Sequence, residues 1–102
     1  SMERLASLIG QKEAERTTAF VVSNNTLEAI KLTEELRSQN ITAEFDLTNK
    51  KFVKQLEKAS KVAKYALILG EDEISTGKVT VKNLDTSEQT TVDRNDLSKT
   101  IA

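Results

Sequence analysis

The chain contains no cysteine, no histidine and no proline in 102 residues. Without cysteine it forms no disulfide and no thiolate metal site, and without histidine it lacks the commonest zinc ligand and general base. Catalysis by this chain on its own is therefore not expected, nor a cofactor or metal held by it. Aromatic residues are scarce, at 4%. Phe20, Phe45 and Phe52 fall at core positions in the patterning described below and leave only Tyr65, so no platform for stacking nucleobases is expected. No apolar run approaches the roughly 20 residues that a membrane-spanning helix needs, and no signal peptide is visible. A cytoplasmic protein with no membrane partner is the expectation. Charge of one sign is lacking too: 15 Lys and Arg stand against 16 Asp and Glu, a formal net charge of -1. That balance excludes an evenly spread phosphate-binding surface and leaves local distribution to decide.

What is present suits one ordinary domain, with 37% hydrophobic and 30% charged residues and a length that supports a single core. Residues 19–22 make an apolar strand ending in Ser23-Asn24-Asn25, and Asn25 followed by Glu28 reads as a capping box for the next helix. Ala29, Leu32 and Leu36 line one face of that helix, which Asn40 should end. Residues 42–47 alternate as a strand with Ala43, Phe45 and Leu47 on one side. A second helix should start near Thr48 or Asn49, with Phe52, Leu56, Ala59 and Ala63 at helical spacing, and Tyr65 should begin a third strand. Residues 65–69 are too short for a helix and too uniformly apolar for a half-exposed strand, so a fully buried parallel strand fits. The expected fold class is α/β: a three-layer arrangement with a mixed five-stranded sheet flanked by helices.

The stretch from Tyr65 to Asp93 is the most informative. After Leu69 and Gly70 come three acids, Glu71, Asp72 and Glu73, read as a turn. Gly77 then restarts the chain into alternating runs at 78–84 and 88–93, joined by Asp85-Thr86-Ser87. Val79, Val81 and Val92 can face a core, which leaves Lys78, Thr80 and Lys82 with Gln89 and Thr91 on the other face. Such a face is rich in donors and acceptors and suits polar base edges. A last helix opens at 94–97, capped by Asp93 or Asn95. In open sheets with parallel strands, ligands gather beyond the carboxyl ends of those strands. Here those ends carry Ser23 and Asn24, Asp46 and Thr48, and residues 70–73.

The pattern LILGEDE, then GKVTVK, then EQTTV resembles the carboxy-terminal anticodon-binding domain of the class IIa aminoacyl-tRNA synthetases, most closely that of histidyl-tRNA synthetase. Met2-Glu3-Arg4-Leu5 resembles the end of class II motif 3, so the likeness spans nearly the whole chain. It implies a division into residues 1–16, a helix and linker left from the catalytic domain, and 17–102, the anticodon-binding domain. Ser1 stands where the likeness expects glycine, so it is read as a cloning remnant and the chain as a piece of a longer protein. Arg4 matches an arginine that contacts ATP in the family, but the glycine-rich strand before it is absent, so that role would belong to the parent only. The resemblance implies further that the parent uses ATP and Mg, ligates histidine to its tRNA and is a homodimer. The implied partners of this chain are the tRNA(His) anticodon stem-loop and the parent's catalytic domain.

Carried over residue by residue, the likeness places Glu73 where a family carboxylate accepts hydrogen bonds from an anticodon base, and Lys82 where a basic side chain contacts the anticodon. Asp72 and Gln89 complete the candidate anticodon set. A carboxylate only accepts, so it selects a base presenting N–H donors, such as guanine N1 and N2; the histidine anticodon contains guanines. On the residues alone, Glu73 reads as a solvated loop acid and Lys82 as a lysine that blunts a sheet edge. Lys50, Lys54, Lys58 and Lys61, with Lys51, fall on one side of the second helix, opposite Phe52, Leu56 and Ala59. They form either a solvated face or a track along tRNA phosphates.

Other motifs are set aside. Gly70 and Gly77-Lys78 have six residues between the glycines instead of four, and Val79 replaces the required Ser or Thr, so no phosphate-binding loop is read. Asn24-Asn25-Thr26 and Asn40-Ile41-Thr42 fit the glycosylation triplet without a secretory signal. The second function class is a non-catalytic, synthetase-like regulatory or protein-interaction domain on the same fold.

Overall fold

The structure, a computed structural model, describes residues 16–46 and 51–101. Five strands form one sheet: β1 (Thr17–Ser23), β2 (Ala43–Phe45), β3 (Ala63–Leu69), β4 (Lys78–Asn83) and β5 (Gln89–Asp93), in the spatial order β2-β1-β3-β4-β5. The helices are α1 (Thr26–Ser38), α2 (Phe52–Val62), α3 (Glu71–Thr76) and α4 (Leu97–Ile101), the last preceded by a 3-10 turn, Arg94–Asp96. β1 pairs in parallel with β2 and β3, while β4 and β5 add antiparallel strands beyond β3. This is the mixed five-stranded α/β sheet that the strand and helix alternation predicts.

β1 is central among the parallel strands and its last five residues are buried, which is why its sequence is a continuous apolar run rather than an alternation. α1 follows after Asn25, whose Oδ1 accepts from the Glu28 backbone N–H at 3.1 Å. The reciprocal half of the expected capping box is absent, because the Glu28 carboxylate instead accepts from Arg94 Nη1 at 3.2 Å. Ala29, Leu32, Thr33 and Leu36 are the buried side of α1. Asn40 ends it in the left-handed region, at φ 64, a conformation in which asparagine is tolerated, and Ile41 N–H returns to Leu36 carbonyl at 3.0 Å.

Four elements depart from the sequence reading. α2 begins at Phe52, after an extended Lys51, where a start near Thr48 or Asn49 was expected, and Ala63 falls outside it. β2 is three residues long, Ala43–Phe45, where 42–47 was expected. β3 starts at Ala63 instead of Tyr65, with no loop after α2. The register explains it: Thr17 lies beside Ala63 and Ser23 beside Leu69, so β3 extends to match the full length of its seven-residue neighbour. The acidic turn at 71–73 is the first turn of α3. Three carboxylates at a helix start are favoured by the helix dipole, and Glu73 Oε1 accepts from the Gly70 N–H at 2.9 Å. Glu73 thus supplies the returning half of a capping box whose other half a glycine cannot make. Gly77, at φ 72, is the left-handed residue that stops α3.

The core has two faces. Leu32 and Leu36 of α1 and Leu97 and Ile101 of α4 meet Val21, Leu67, Leu69, Val79 and Val81 on one side of the sheet. On the other, Ala59 of α2, with Phe52 and Leu56, meets Phe20, Val22 and Ala66. α2 therefore shares its side of the sheet with the face of the β4–β5 hairpin formed by Thr80, Lys82, Gln89 and Thr91, which pair Thr80 with Thr91 and Lys82 with Gln89. The hairpin turn is fixed by Asn83 Oδ1, which accepts from the N–H groups of Asp85 and Thr86 at 2.9 and 3.1 Å. Arg16 reaches across to Asp85 through two hydrogen bonds of 3.2 and 3.1 Å. That contact holds the Asp85 carboxyl below its ordinary range, first by hydrogen bonding and then by charge.

Candidate nucleic-acid interface

Glu73 is only half-buried, yet both oxygens of its carboxylate are engaged inside the protein. Oε1 takes the Gly70 N–H at 2.9 Å and Oε2 takes the Thr80 hydroxyl at 2.9 Å. The expectation of a freely exposed loop acid is corrected accordingly. A carboxylate offers about four acceptor positions, so these two bonds orient the group and leave each oxygen room for one further donor. Thr80 Oγ1 also lies 3.1 Å from Thr91 Oγ1 on the neighbouring strand. The sheet register puts Lys82 opposite Gln89 one pair along the same face. Lys82 is half-buried and Gln89 exposed. Asp72, the neighbour of Glu73, is exposed, and its backbone carbonyl accepts from the hydroxyls of Ser75 and Thr76.

The carboxyl ends of β1 and β3 lie side by side, Ser23 next to Leu69. Beyond them opens a cleft of ≈ 570 Å³ lined by Asn24, Asn25, Thr26, Phe52, Leu69, Gly70, Glu71 and Ile74. Its rim is held by polar contacts that periodicity did not disclose. Gln55 of α2, 2% exposed, accepts the Ser23 N–H through Oε1 at 2.9 Å and donates Nε2 to the Ser23 carbonyl at 3.1 Å. Ser23 Oγ donates to the Leu69 carbonyl at 2.8 Å and accepts the Asn25 N–H at 3.0 Å. A signal was there for Gln55: it lies three residues after Phe52 and four before Ala59, on the apolar side of the helix, where a polar residue calls for a buried partner.

Lys54, Lys58 and Lys61 line one shallow groove with Glu57, ≈ 590 Å³ in volume, and all are exposed, as is Lys51. Lys54 pairs with Glu57 at 3.7 Å, leaving a net basic stripe. Lys50 and Arg4 lie outside the described residues, as does residues 1–15 of the expected linker. Among the described residues, no group of three or more His, Cys, Asp or Glu is placed to hold a metal ion, and no helix is long and apolar enough to cross a membrane.

Three comparisons agree with this geometry. Residues 19–102 match the family described as Anticodon binding domain. A histidine–tRNA ligase of Clostridium botulinum (strain Kyoto / Type A2) is 40% identical over 76 residues, 74% of this chain and 18% of that protein. One from Archaeoglobus fulgidus is 36% identical over 98 residues, 93% of this chain and 24% of that protein. The chain thus spans about a fifth to a quarter of the length of these relatives. In solved structures, apo histidyl-tRNA synthetase from S. aureus superposes with a TM-score of 0.80 at 28% identity, over 92% of this chain and 29% of that one. With a family match that covers most of its length and the same mixed sheet, this chain belongs to the anticodon-binding domain family.

Proposed function

We propose that this chain reads the anticodon of histidine tRNA as the carboxy-terminal domain of a histidine–tRNA ligase. The observation that carries the reading is the Glu73 carboxylate, tethered at one oxygen by the Gly70 N–H and at the other by the Thr80 hydroxyl. A group held in this way meets the N1–H and N2–H donors of guanine without first losing conformational freedom. Lys82 and Gln89 stand beside it on the same face, the lysine as a phosphate or base-acceptor contact and the amide as both donor and acceptor. Asp72 marks the outer rim. Lys54, Lys58 and Lys61 lie on the same side of the sheet and supply charge along the tRNA backbone, with Lys50 and Lys51 extending the stripe in sequence.

In this reading the aminoacylation step, with ATP and Mg²⁺, belongs to the part of the ligase outside this chain, to which Arg4 would lead. The described residues offer no cluster to hold a metal ion, and no step of the ligation is assigned to them. The parent enzyme is a cytoplasmic homodimer whose catalytic domain is this domain's covalent partner.

The test is binding, at low salt, to a stem-loop carrying the histidine anticodon and to the same loop with its anticodon guanine replaced by adenine. Adenine presents an acceptor at N1, so a guanine preference that disappears in Glu73→Ala is the expected result. Equal binding of the two loops would overturn the reading and leave a protein-interaction domain on the same fold.

A further inference from the structure

The hydroxyls of Thr80 and Thr91 form a chain whose direction is fixed by chemistry. A carboxylate cannot donate, so the 2.9 Å contact between Thr80 and Glu73 Oε2 uses the only proton on the Thr80 hydroxyl. The 3.1 Å contact between Thr80 and Thr91 must then take its proton from Thr91. Thr80 is 5% exposed and cannot turn to water for an alternative. We propose that Thr80 and Thr91 are positioning residues for guanine selectivity, a proton-ordered relay on two adjacent strands that holds the Glu73 carboxylate in its reading orientation. The inference rests on the anticodon-reading role proposed above and adds a dependence which that role does not require.

Several features converge on this reading. Glu73 sits on α3, and its tether to Thr80 ties that six-residue helix to the strand that follows it. Without that tether, only the Gly70 N–H restrains the side chain, and rotation about the carboxylate bond swings Oε2 away from a base. Donation from Thr91 polarises the Thr80 hydroxyl and strengthens the bond it makes to Glu73. It also leaves Thr91, exposed on β5, with acceptor lone pairs alone facing outward. Glu73 and Thr91 thus offer acceptors to an approaching base edge, while Lys82 beside them offers donors and Gln89 both donors and an acceptor.

The experiment measures the ratio of affinities for the guanine and adenine stem-loops in this chain and its variants. Thr80→Val keeps the shape and the strand propensity of the residue, and thermal melting verifies the fold of each variant. Thr80→Val should lower the guanine preference about tenfold, the worth of one hydrogen bond to a charged group. Thr80→Ser should restore it, which a purely steric role of the methyl group would not allow. Thr91→Val should lower the preference by a smaller factor, about threefold. In a Glu73→Ala background, Thr80→Val should have no further effect on selectivity. A Thr80→Val chain that keeps the full preference while Glu73→Ala loses it overturns the relay and leaves anticodon reading standing. Absence of any preference in the unsubstituted chain overturns both.

Discussion

An alanine at Gly70 would place its Cβ 2.7 Å from Glu73 Oε1, although the backbone there, at φ -84 and ψ 179, is open to any residue. Glycine is needed at this position for the carboxylate and not for the turn. Gly70→Ala should therefore change stability by less than about 1 kcal/mol, since the atom displaced is the end of a flexible side chain. It should nevertheless lower guanine selectivity, as read by the two stem-loops; unchanged selectivity would mean that the capping bond does not orient Glu73. Glu73→Ala removes two hydrogen bonds and should cost about 1 to 2 kcal/mol in chemical denaturation. Gln55→Ala should cost more, about 2 to 4 kcal/mol, because it strands the buried N–H and carbonyl of Ser23. Neither contact could be read from residue order: Glu73 and Thr80 are joined across a helix end that the sequence presents as a run of acids, and Gln55 meets a strand 32 residues away.

Among the elements, α2 separates its apolar and basic residues by side. Phe52, Leu56 and Ala59 face the sheet, while Lys54, Lys58 and Lys61 face outward together. Replacing Lys54 and Lys58 by Glu should weaken binding to guanine and adenine loops alike and flatten the salt dependence of both, with melting temperature nearly unchanged. Affinity that stays the same would make the stripe solvated surface only. The long elements were legible because their apolar spacing repeats over enough residues to define a period. α1 shows Ala29, Leu32 and Leu36, and α2 shows Phe52, Leu56 and Ala59. α3 was not legible, because in six residues its only apolar side chain is Ile74, and one residue has no period. The start of β3 was hidden for a different reason: Ala63 and Lys64 suit either state, and pairing with β1 decides between them.

For the molecule as a whole, the exposed ion pair between Arg16 and Asp85 joins the start of β1 to the far hairpin. The folded pKa of Asp85 lies below its ordinary value of 3.8, so the pair's contribution is present above that range and is lost as pH falls through the lowered value. Asp85→Asn should melt slightly earlier than the unsubstituted chain at neutral pH, with the gap closing in acid; a gap independent of pH would show that the pair is not its cause. The mixed five-stranded sheet and the α/β class followed from the alternation of patterns, whereas the order of the strands and the side of the sheet left open by α2 depend on the crossover geometry that brings β3 between β1 and β4.

The parallel pairing of β1 with β3 joins residues 17 and 63, a separation that no local turn can close. Every part of the proposed reading face lies later in the chain than β3 and hangs on its edge. With no proline to isomerise and no disulfide to form, the slow event in folding should be the meeting of these two central strands. A nascent or partly unfolded chain then holds no Glu73 carboxylate at the right height above the hairpin, so the proposed choice of an RNA partner would arrive together with the finished fold.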